Sequence, residues 1–253
     1  MALNPPIRDW RGRRVWVLGA SSGIGAEVSA LLLERGARVA VSARSQQRLR
    51  ERFGGDTLVV PADVTDAESL SAAAAEIAAA RDGIDLTLNF AGTYQEMRPW
   101  AMDLAAVRAI VELNLTGAFN LLEALQPHLK PGTGLGLVAS VAGYGGLPNS
   151  LAYGASKAGL INLAQSLWLD YRARNVAVYL INPGFVETPL TAKNRFPMPF
   201  IIPAEDAAHR TVAGLERGNF EIDYPRRFTR LLKLLNLLPQ GLYFRCVRRF
   251  TGI

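Results

Sequence analysis

The chain has 253 residues, 49% of them apolar, with a single cysteine and two histidines. One cysteine cannot close an internal disulfide, and the distant pair His128 and His209 makes a poor metal site, so disulfide-rich secreted domains and zinc enzymes are excluded. The net charge of +6 would favour a polyanionic partner, but seven of the 28 cations and no acid follow Asp223, which leaves residues 1–223 nearly neutral with 21 cations and 22 acids.

The N-terminal segment lacks the apolar run of a signal peptide, and no window holds 18 consecutive apolar residues. We therefore expect a cytoplasmic protein without a membrane-spanning helix. A chain of this length can bury a large core with no disulfide or metal to support it.

Short apolar runs alternate with longer helical patterns along most of the chain. The predicted strands are Val15–Leu18, Arg38–Ser42, Thr57–Val60, Ile84–Asn89, Gly134–Ala139 and Val176–Ile181. The helical patterns cover about residues 24–35, 45–52, 66–80, 103–127 and 151–174. This alternation predicts right-handed βαβ units and hence one α/β domain, a three-layer, doubly wound parallel sheet of the Rossmann type.

A glycine-rich loop joins the first predicted strand to the first predicted helix. It reads Gly19-Ala20-Ser21-Ser22-Gly23-Ile24-Gly25. Glycines here allow a tight turn and let backbone N–H groups approach a pyrophosphate at the helix N-terminus. The spacing G-x-x-x-G-x-G differs from the usual G-x-G-x-x-G dinucleotide fingerprint, so a plain connection between strand and helix is the alternative.

The end of the second predicted strand indicates which nucleotide would bind. An acid there, about 20 residues beyond the glycines, would bind a ribose 2′-hydroxyl. Ala43 occupies that position and Arg44 follows it, and a guanidinium can pair with a 2′-phosphate through two hydrogen bonds. The sequence therefore favours NADP(H) over NAD(H). The alternative is that Arg44 is a solvated loop cation.

Tyr153 and Lys157 lie near the start of a predicted helix, and their i,i+4 spacing puts the phenol and the ammonium on one face. A tyrosine has a pKa of about 10, so a neighbouring cation would be needed to lower it. Ser140 follows the fifth predicted strand at the carboxyl edge of the sheet, where ligands of open α/β sheets bind. A Tyr-x-x-x-Lys spacing alone is weak evidence, but with Ser140 and the glycine loop it favours a catalytic site.

In this order the motifs resemble the short-chain dehydrogenase/reductase family, in its subgroup whose subunits have about the length of this chain. The resemblance covers about residues 12–224. It rests on the glycine loop, Asp63-Val64, Asn89-Phe90-Ala91-Gly92, Asn114-Leu115-Thr116-Gly117, Ser140, Tyr153 with Lys157, and Pro183-Gly184 with Thr188. Two positions depart from the family pattern, because Phe90 replaces the more usual alanine and Leu18 precedes the first glycine where threonine is commoner.

The resemblance implies an enzyme that interconverts a carbonyl and a secondary alcohol by hydride transfer, with no metal. Tyr153 would be the general acid and base, and Lys157 would lower its pKa and hold the nicotinamide ribose. Ser140 would orient the substrate carbonyl, and Asn114 would anchor a water between Lys157 and solvent. The implied cofactor-binding residues are Gly19, Ser21, Ser22, Gly23, Ile24, Gly25, Asp63, Val64, Asn89, Ala91, Gly92, Pro183, Gly184, Val186 and Thr188, besides Tyr153 and Lys157.

The family also implies a homodimer or homotetramer. Residues 1–224 are expected to form the catalytic domain, with Phe185–Pro203 as a mobile flap over the substrate. Apolar candidates for the substrate site are Tyr94, Trp100, Tyr144, Leu147, Phe196, Met198, Phe200, Ile201 and Ile202. We therefore expect an apolar substrate, although Lys193 and Arg195 could bind an anionic group and the apolar side chains could instead pack on one another.

Residues 225–253 are expected to form a basic amphipathic helical tail, broken at Pro239-Gln240-Gly241. Phe228, Leu231, Leu232, Leu235 and Leu238 follow helical spacing, beside Arg227, Arg230 and Lys233. Packing over the substrate cleft or across a subunit interface is the leading interpretation of the tail, and contact with an anionic membrane surface is the second. Nucleic acid is not expected, because no motif that reads it accompanies the cations. A nucleotide sensor without catalysis and a membrane-peripheral interaction protein are the alternative functions.

Overall fold

A seven-stranded parallel sheet forms the middle layer of the computed structural model, which describes residues 2–55, 57–194 and 196–252. The strands in chain order are Arg14–Leu18 (β1), Arg38–Ser42 (β2), Leu58–Val59 (β3), Leu86–Asn89 (β4), Gly134–Val138 (β5), Ala177–Pro183 (β6), Val186–Glu187 (β7), Ile202–Pro203 (β8) and Glu221–Tyr224 (β9). The sheet has the order β3-β2-β1-β4-β5-β6-β9, while β7 and β8 form a separate two-stranded sheet. The strand order reverses between β1 and β4, and ligands bind outside the carboxyl ends of the strands at such a point.

Helices cover both faces of this sheet. They are Gly23–Glu34 (α1), Gln46–Arg52 (α2), Ala67–Arg81 (α3), Leu104–Val111 (α4), Gly117–Leu125 (α5), Leu151–Arg172 (α6), Ala204–Glu216 (α7), Arg226–Asn236 (α8) and Gln240–Thr251 (α9). Helices α1 and α7 pack against one face, and α3, α5 and α6 cover the other. This confirms the predicted three-layer fold.

Alternate residues of each strand enter different cores, because successive side chains of a strand point to opposite faces. On β1, Val15 and Val17 pack toward α1 and α7, whereas Trp16 and Leu18 pack toward α3 and α5. Each set is buried. The strands therefore read as continuous apolar runs rather than as an alternating pattern.

Besides the short strands β7 and β8 within the expected flap, strand β9 and helix α7 were not among the sequence predictions. In strand β9 the acids Glu221 and Asp223 alternate with the buried side chains Ile222 and Tyr224, so its composition does not resemble that of a fully covered strand. Helix α7 lies just before it and buries one face against α1. The acids of β9, the edge strand of the sheet, accept hydrogen bonds from Lys233 of α8, which packs against this strand.

The single helix predicted over 103–127 is interrupted. A π-helical turn, Glu112–Thr116, separates α4 from α5. Over the described residues, Leu104–Leu125 is the one helical run whose length and mean hydropathy of 1.2 would allow it to cross a membrane, and α5 within it packs on α3 as a core helix does.

Candidate active site

The glycine loop lies at the carboxyl end of β1, and close packing explains its composition. A Cβ at Gly19 would lie 2.6 Å from the backbone nitrogen of Ala91, and one at Gly25 would lie 2.6 Å from the carbonyl oxygen of Gly19. Gly19 and Gly23 have positive φ angles of 74° and 59°, which favour glycine. The loop can therefore lie flat against the sheet and turn directly into α1.

The N-terminus of α1 suits an anion. Ser22 precedes the helix, and within the described chain its side chain makes no capping hydrogen bond. The first turn of α1 also carries no acid. Its backbone N–H groups and the positive end of the helix dipole are thus left for an external acceptor.

A cavity of about 560 Å³ runs from this loop along the carboxyl ends of the strands. Most of the predicted site residues line it: Gly19, Ser21, Ser22, Gly23, Ile24, Gly25, Arg44, Asp63, Val64, Ala91, Gly92, Ser140, Tyr153, Lys157, Pro183, Gly184, Val186 and Thr188. Asn89 and Asn114 are buried behind the wall instead. Asn89 shapes the wall, since its Oδ1 accepts a hydrogen bond of 3.1 Å from the backbone N–H of Ala91.

One end of the cavity is basic. Arg44 follows β2 and is exposed at the rim, and Arg48, one turn along α2, lines the same end. The sequence analysis did not select Arg48. Its place in the first turn of α2 depends on Ser45, whose side chain accepts a hydrogen bond from the Arg48 backbone N–H and caps the helix. Asp63 is the one acid among the described lining residues, and its Oδ1 already accepts hydrogen bonds of 3.0 and 2.8 Å from the backbone N–H and side-chain hydroxyl of Thr65.

The other end of the cavity holds Tyr153, Lys157 and Ser140. Tyr153 and Lys157 lie one turn apart on α6, with the Lys157 Nζ 5.7 Å from the centre of the Tyr153 ring. That Nζ donates a hydrogen bond of 2.8 Å to the carbonyl oxygen of Val138 at the end of β5. Ser140 lies just beyond the same strand. Its Oγ accepts a hydrogen bond of 3.2 Å from the backbone N–H of Ala142.

Burial controls the ionisation of this pair in the protein alone. It raises the pKa of Tyr153, against the smaller lowering effect of a hydrogen bond with Ser140. Burial also lowers the pKa of Lys157 to about 7. We expected a Lys157 cation to lower the pKa of Tyr153. In the protein alone the effect of burial on the Tyr153 pKa is larger, because burial also drives Lys157 toward its neutral form.

Asn114 lies in the π-helical turn, which points its side chain toward the turn that follows β4. Its Oδ1 accepts a hydrogen bond of 2.8 Å from the backbone N–H of Thr93, and its Nδ2 donates to the Thr93 carbonyl oxygen at 2.9 Å and to the Ser156 Oγ at 3.1 Å. The Asn114 Oδ1 and the Lys157 Nζ each lie 3.6 Å from the position of a Cβ on Gly92. Tertiary packing thus brings Asn114 beside the lysine.

Aromatic side chains of the flap pack against the tail. Phe228 of α8 stacks on Phe185 with ring centres 5.5 Å apart, and its ring lies 6.0 Å from that of Phe200. Phe196 meets Phe185 edge-on at 6.0 Å. The tail is therefore in contact with the flap that we expect to cover the substrate. Arg195, which with Lys193 was a candidate for binding an anionic group of the substrate, lies outside the described residues.

The candidate residues of the opposite wall have different surroundings. Tyr94 meets the Tyr153 ring edge-on, with ring centres 5.0 Å apart. Trp100 is 79% exposed, with the Arg98 guanidinium over its ring. The Tyr144 hydroxyl donates a hydrogen bond of 2.6 Å to Glu221 of β9. Of these three, Tyr94 is the one in contact with the proposed reacting group.

Comparisons with known proteins agree with this arrangement. A family model described as short chain dehydrogenase matches residues 13–198. The chain belongs to this family. This short-chain dehydrogenase is 35% identical over 250 residues to an uncharacterised oxidoreductase of Myxococcus xanthus, covering 94% of the chain and 97% of the relative. It is also 35% identical over 209 residues to the cis-4-hydroxycyclohexanecarboxylate dehydrogenase of Sinomonas cyclohexanicum, covering 79% and 82%.

A crystal structure of a short chain dehydrogenase from Burkholderia cenocepacia in complex with NADP is similar in fold. Its TM-score is 0.84 at 29% sequence identity, and the match covers 94% of this chain and 98% of that one. Short-chain dehydrogenases are oxidoreductases that bind a nicotinamide cofactor.

The residues of this short-chain dehydrogenase fit such a cofactor. The α1 N-terminus offers N–H groups without a competing side chain, and any Cβ at Gly19 or Gly25 would collide with backbone. The cavity joins this anion-binding loop to Tyr153 and Lys157. A dinucleotide could therefore place its pyrophosphate at the glycine loop and its nicotinamide end near Tyr153.

Proposed function

We propose that this short-chain dehydrogenase is an NADP(H)-dependent oxidoreductase that interconverts a carbonyl and a secondary alcohol, with Tyr153 as the general acid and base. One observation carries the proposal: Ser140, Tyr153 and Lys157 line one end of the cavity whose other end is the glycine loop. A hydroxyl, a phenol and an ammonium beside a nicotinamide site are suited to binding and protonating a carbonyl oxygen.

The preference for NADP(H) is supported by the charge at the end of β2. Ala43 leaves no carboxylate to accept a ribose 2′-hydroxyl, and Arg44 and Arg48 offer two guanidinium groups at the adenosine end of the cavity. A relative that was crystallised in complex with NADP supports the same preference.

In the proposed mechanism, a nicotinamide cofactor held by the glycine loop and Lys157 would supply the hydride for reduction of the carbonyl carbon or accept it in oxidation of the alcohol. Tyr153 donates its phenolic proton to the carbonyl oxygen in reduction and accepts it in oxidation. The Ser140 hydroxyl orients that oxygen. Lys157 holds the nicotinamide ribose, and its pKa of about 7 allows it to exchange a proton near neutral pH. Asn114 anchors the water through which this proton reaches solvent.

The remaining residues proposed to hold the cofactor act in three groups. The loop residues Gly19 to Gly25 take the pyrophosphate, and Asp63 and Val64 contact the adenine. Ala91 and Gly92 line the middle of the cleft, and Asn89 supports them from behind the wall. The segment Pro183, Gly184, Val186 and Thr188 flanks the nicotinamide, and all four of its residues line the cavity.

An apolar substrate is supported by the rings around Tyr153 and in the flap. Tyr94 contacts Tyr153, and the described flap presents Phe185, Phe196 and Phe200. In this proposal residues 1–224, with the flap 185–203, form the catalytic domain of a cytoplasmic enzyme. A homodimer or homotetramer is supported by large apolar side chains that are exposed on α4, α5 and α6, namely Leu104, Phe119 and Leu169.

The proposed reaction is tested with a panel of ketones, aldehydes, steroids and acyl thioesters, followed by NADPH absorbance. Tyr153→Phe should abolish reduction while NADPH still binds, because the phenol ring remains and only the proton donor is lost. Tyr171→Phe, which removes a hydroxyl from the far end of α6 and outside the cavity lining, is the matched control and should keep turnover. Retained turnover in Tyr153→Phe would contradict the proposed mechanism. If the unmodified chain binds the cofactor but turns over none of the compounds, a nucleotide sensor is favoured instead.

Cofactor preference is tested by the dissociation constants of NADPH and NADH. Arg44→Asp should weaken NADPH binding by about 10- to 100-fold, since hydrogen bonds to a charged group contribute about 1.5–3 kcal/mol. Arg50→Asp changes an exposed cation on the following helix, α2, outside the cavity lining and serves as the control. Equal affinities of the unmodified chain for the two cofactors would contradict the proposed preference.

A further inference from the structure

Helix α8 presents leucines to solvent beside arginines. At about 100° per residue, six exposed positions fall on one side of the helix and its C-terminal turn. We call them the tail surface: Arg227, Arg230, Leu231, Leu234, Leu237 and Leu238. Leu234 is 64% and Leu237 81% exposed. Large apolar side chains grouped in this way are typical of an interaction site.

The opposite side of α8 already has its partners. Phe228 packs on the flap, and Thr229 is fully buried. Lys233 donates hydrogen bonds of 2.8 and 2.9 Å to Glu221 and Asp223. These contacts fix the inner face of α8 to the flap and to β9. A rotation of the helix that buried the tail surface would break them.

Helix α9 continues the same composition. Leu242 and Phe244 are 46% and 55% exposed, and Arg245 and Arg249 are exposed near them. Its inner face is held by Tyr243, which is buried and donates a hydrogen bond of 2.8 Å to the Gly146 carbonyl oxygen. Both helices of the tail thus combine an attached inner face with an outer face of apolar and cationic side chains.

We propose that the tail surface binds the surface of an anionic lipid bilayer. Leucines would enter the boundary between headgroups and acyl chains, while the arginine heads reach the lipid phosphates. The charge of the segment matches this partner, since no acid follows Asp223 and, of the seven cations that do, Lys233 alone is bound to the acids of β9 among the ion pairs of the described residues. Each cation near an anionic membrane surface adds to binding.

A second copy of this chain matches the tail surface less well. A twofold interface through this surface would bring Arg227 and Arg230 close to the same residues of the other chain. The segment after Asp223 offers no acid to separate these like charges, and none of the described residues forms an ion pair with Arg227 or Arg230. A nucleic acid would use the arginines but would leave the leucines exposed to water.

The test is co-sedimentation of the full-length protein with vesicles. We expect it to pellet with vesicles of phosphatidylglycerol mixed with phosphatidylcholine, to stay in solution with phosphatidylcholine alone, and to be released by salt. Leu234→Glu should weaken binding at least about tenfold, by removing an inserting side chain and adding a negative charge. Arg227→Gln with Arg230→Gln should weaken it roughly 30-fold, the equivalent of about 1 kcal/mol per arginine.

Matched controls separate a surface effect from a general one. Leu3→Glu replaces another leucine, 45% exposed at the other terminus, and Arg8→Gln with Arg50→Gln removes two exposed cations outside the tail. These variants should pellet as the unmodified chain does. Because every substituted side chain is exposed, circular dichroism and the melting temperature should be unchanged.

Three results would overturn the proposal. The first is that the unmodified chain stays in solution with the anionic vesicles at low salt, and the second is that the tail variants bind these vesicles as well as the unmodified chain does. The third is that Leu234→Glu converts an oligomer into a monomer while no variant binds vesicles, which would assign the tail surface to a second copy. Size-exclusion chromatography with light scattering measures this third outcome.

Discussion

Lys233 ties the tail to the edge of the sheet, and its replacement tests how much this contact stabilises the protein. Its Nζ lies 2.8 Å from Glu221 and 2.9 Å from Asp223, both on β9. It also lies 5.4 Å from the centre of the Tyr144 ring. Lys233→Met removes the charge and both hydrogen bonds, but it keeps an unbranched apolar stem against that ring.

The size of the effect follows from the partial burial of the three groups. Their side chains are 38%, 30% and 18% exposed for Lys233, Glu221 and Asp223, so solvent screens the pairs less than on an open surface. Exposed ion pairs contribute less than about 1 kcal/mol, and charged hydrogen bonds about 1.5–3 kcal/mol. We expect Lys233→Met to lower the free energy of unfolding by about 2 kcal/mol, or the melting temperature by about 4–8 °C for a chain of this size.

The pH dependence has a defined sign. Despite burial, the hydrogen bond with Lys233 holds the pKa of Asp223 below its ordinary value, and Glu221 and Asp223 together raise the pKa of Lys233. The carboxylate contribution is present above the unfolded pKa of about 4 and is lost as pH falls through the folded value. The lysine contribution is present below about pH 10 and is lost as pH rises through its folded value. The difference between Lys233→Met and the unmodified chain should therefore be largest between these limits.

The assay is urea unfolding at neutral pH, with Lys130→Met as a control at an exposed lysine. A double-mutant cycle with Asp223→Asn isolates the contribution of one pair. A coupling energy of about 1 kcal/mol is expected for Lys233 with Asp223. If Lys233→Met unfolds at the same urea concentration as the unmodified chain, or the coupling energy is zero, the ion pairs do not hold the tail to β9 and the reasoning is refuted.

Three further predictions concern the site. Lys157 has a pKa of about 7 in the folded chain, below the value of about 10.4 in the unfolded chain. Between about pH 7 and pH 10 the unfolded chain therefore binds more protons than the folded one. The free energy of unfolding should rise with pH in this range, by up to about 1.4 kcal/mol per pH unit. Lys157→Met should remove that slope and end turnover, and an unchanged slope in urea titrations would contradict the burial effect. Gly25→Ala should lower the affinity for NADPH without a change of charge, because its Cβ would lie 2.6 Å from the Gly19 carbonyl oxygen and displace the glycine loop. Fluorescence titration measures this affinity. An unchanged affinity would show that the loop accommodates the methyl group. Asn114→Ala should lower the free energy of unfolding by about 1–2 kcal/mol, because it leaves the half-buried N–H and carbonyl of Thr93 unpaired. Urea unfolding measures this, and a loss below about 0.5 kcal/mol would mean that water replaces these bonds.

The sequence alone determined the features that depend on local backbone geometry. The alternation of apolar runs and helical patterns predicts a parallel sheet, since few other arrangements bury both faces of such strands. The glycine loop follows from its position between strand and helix. The i,i+4 spacing fixed the shared face of Tyr153 and Lys157, and the structure places both at the cavity.

Tertiary structure decided what depends on contacts between distant segments. Strand β9 escaped prediction because its acids suit a sheet edge, and the π-helical turn that aims Asn114 at Thr93 has no simple periodic signal. Burial of Lys157, which lowers its pKa to about 7, follows from packing and not from composition. The charge of the tail was visible in the sequence, but the sequence did not show which of its leucines face solvent, because both faces of α8 are rich in leucine. The contacts of Phe228 and Lys233 with the rest of the protein decide this.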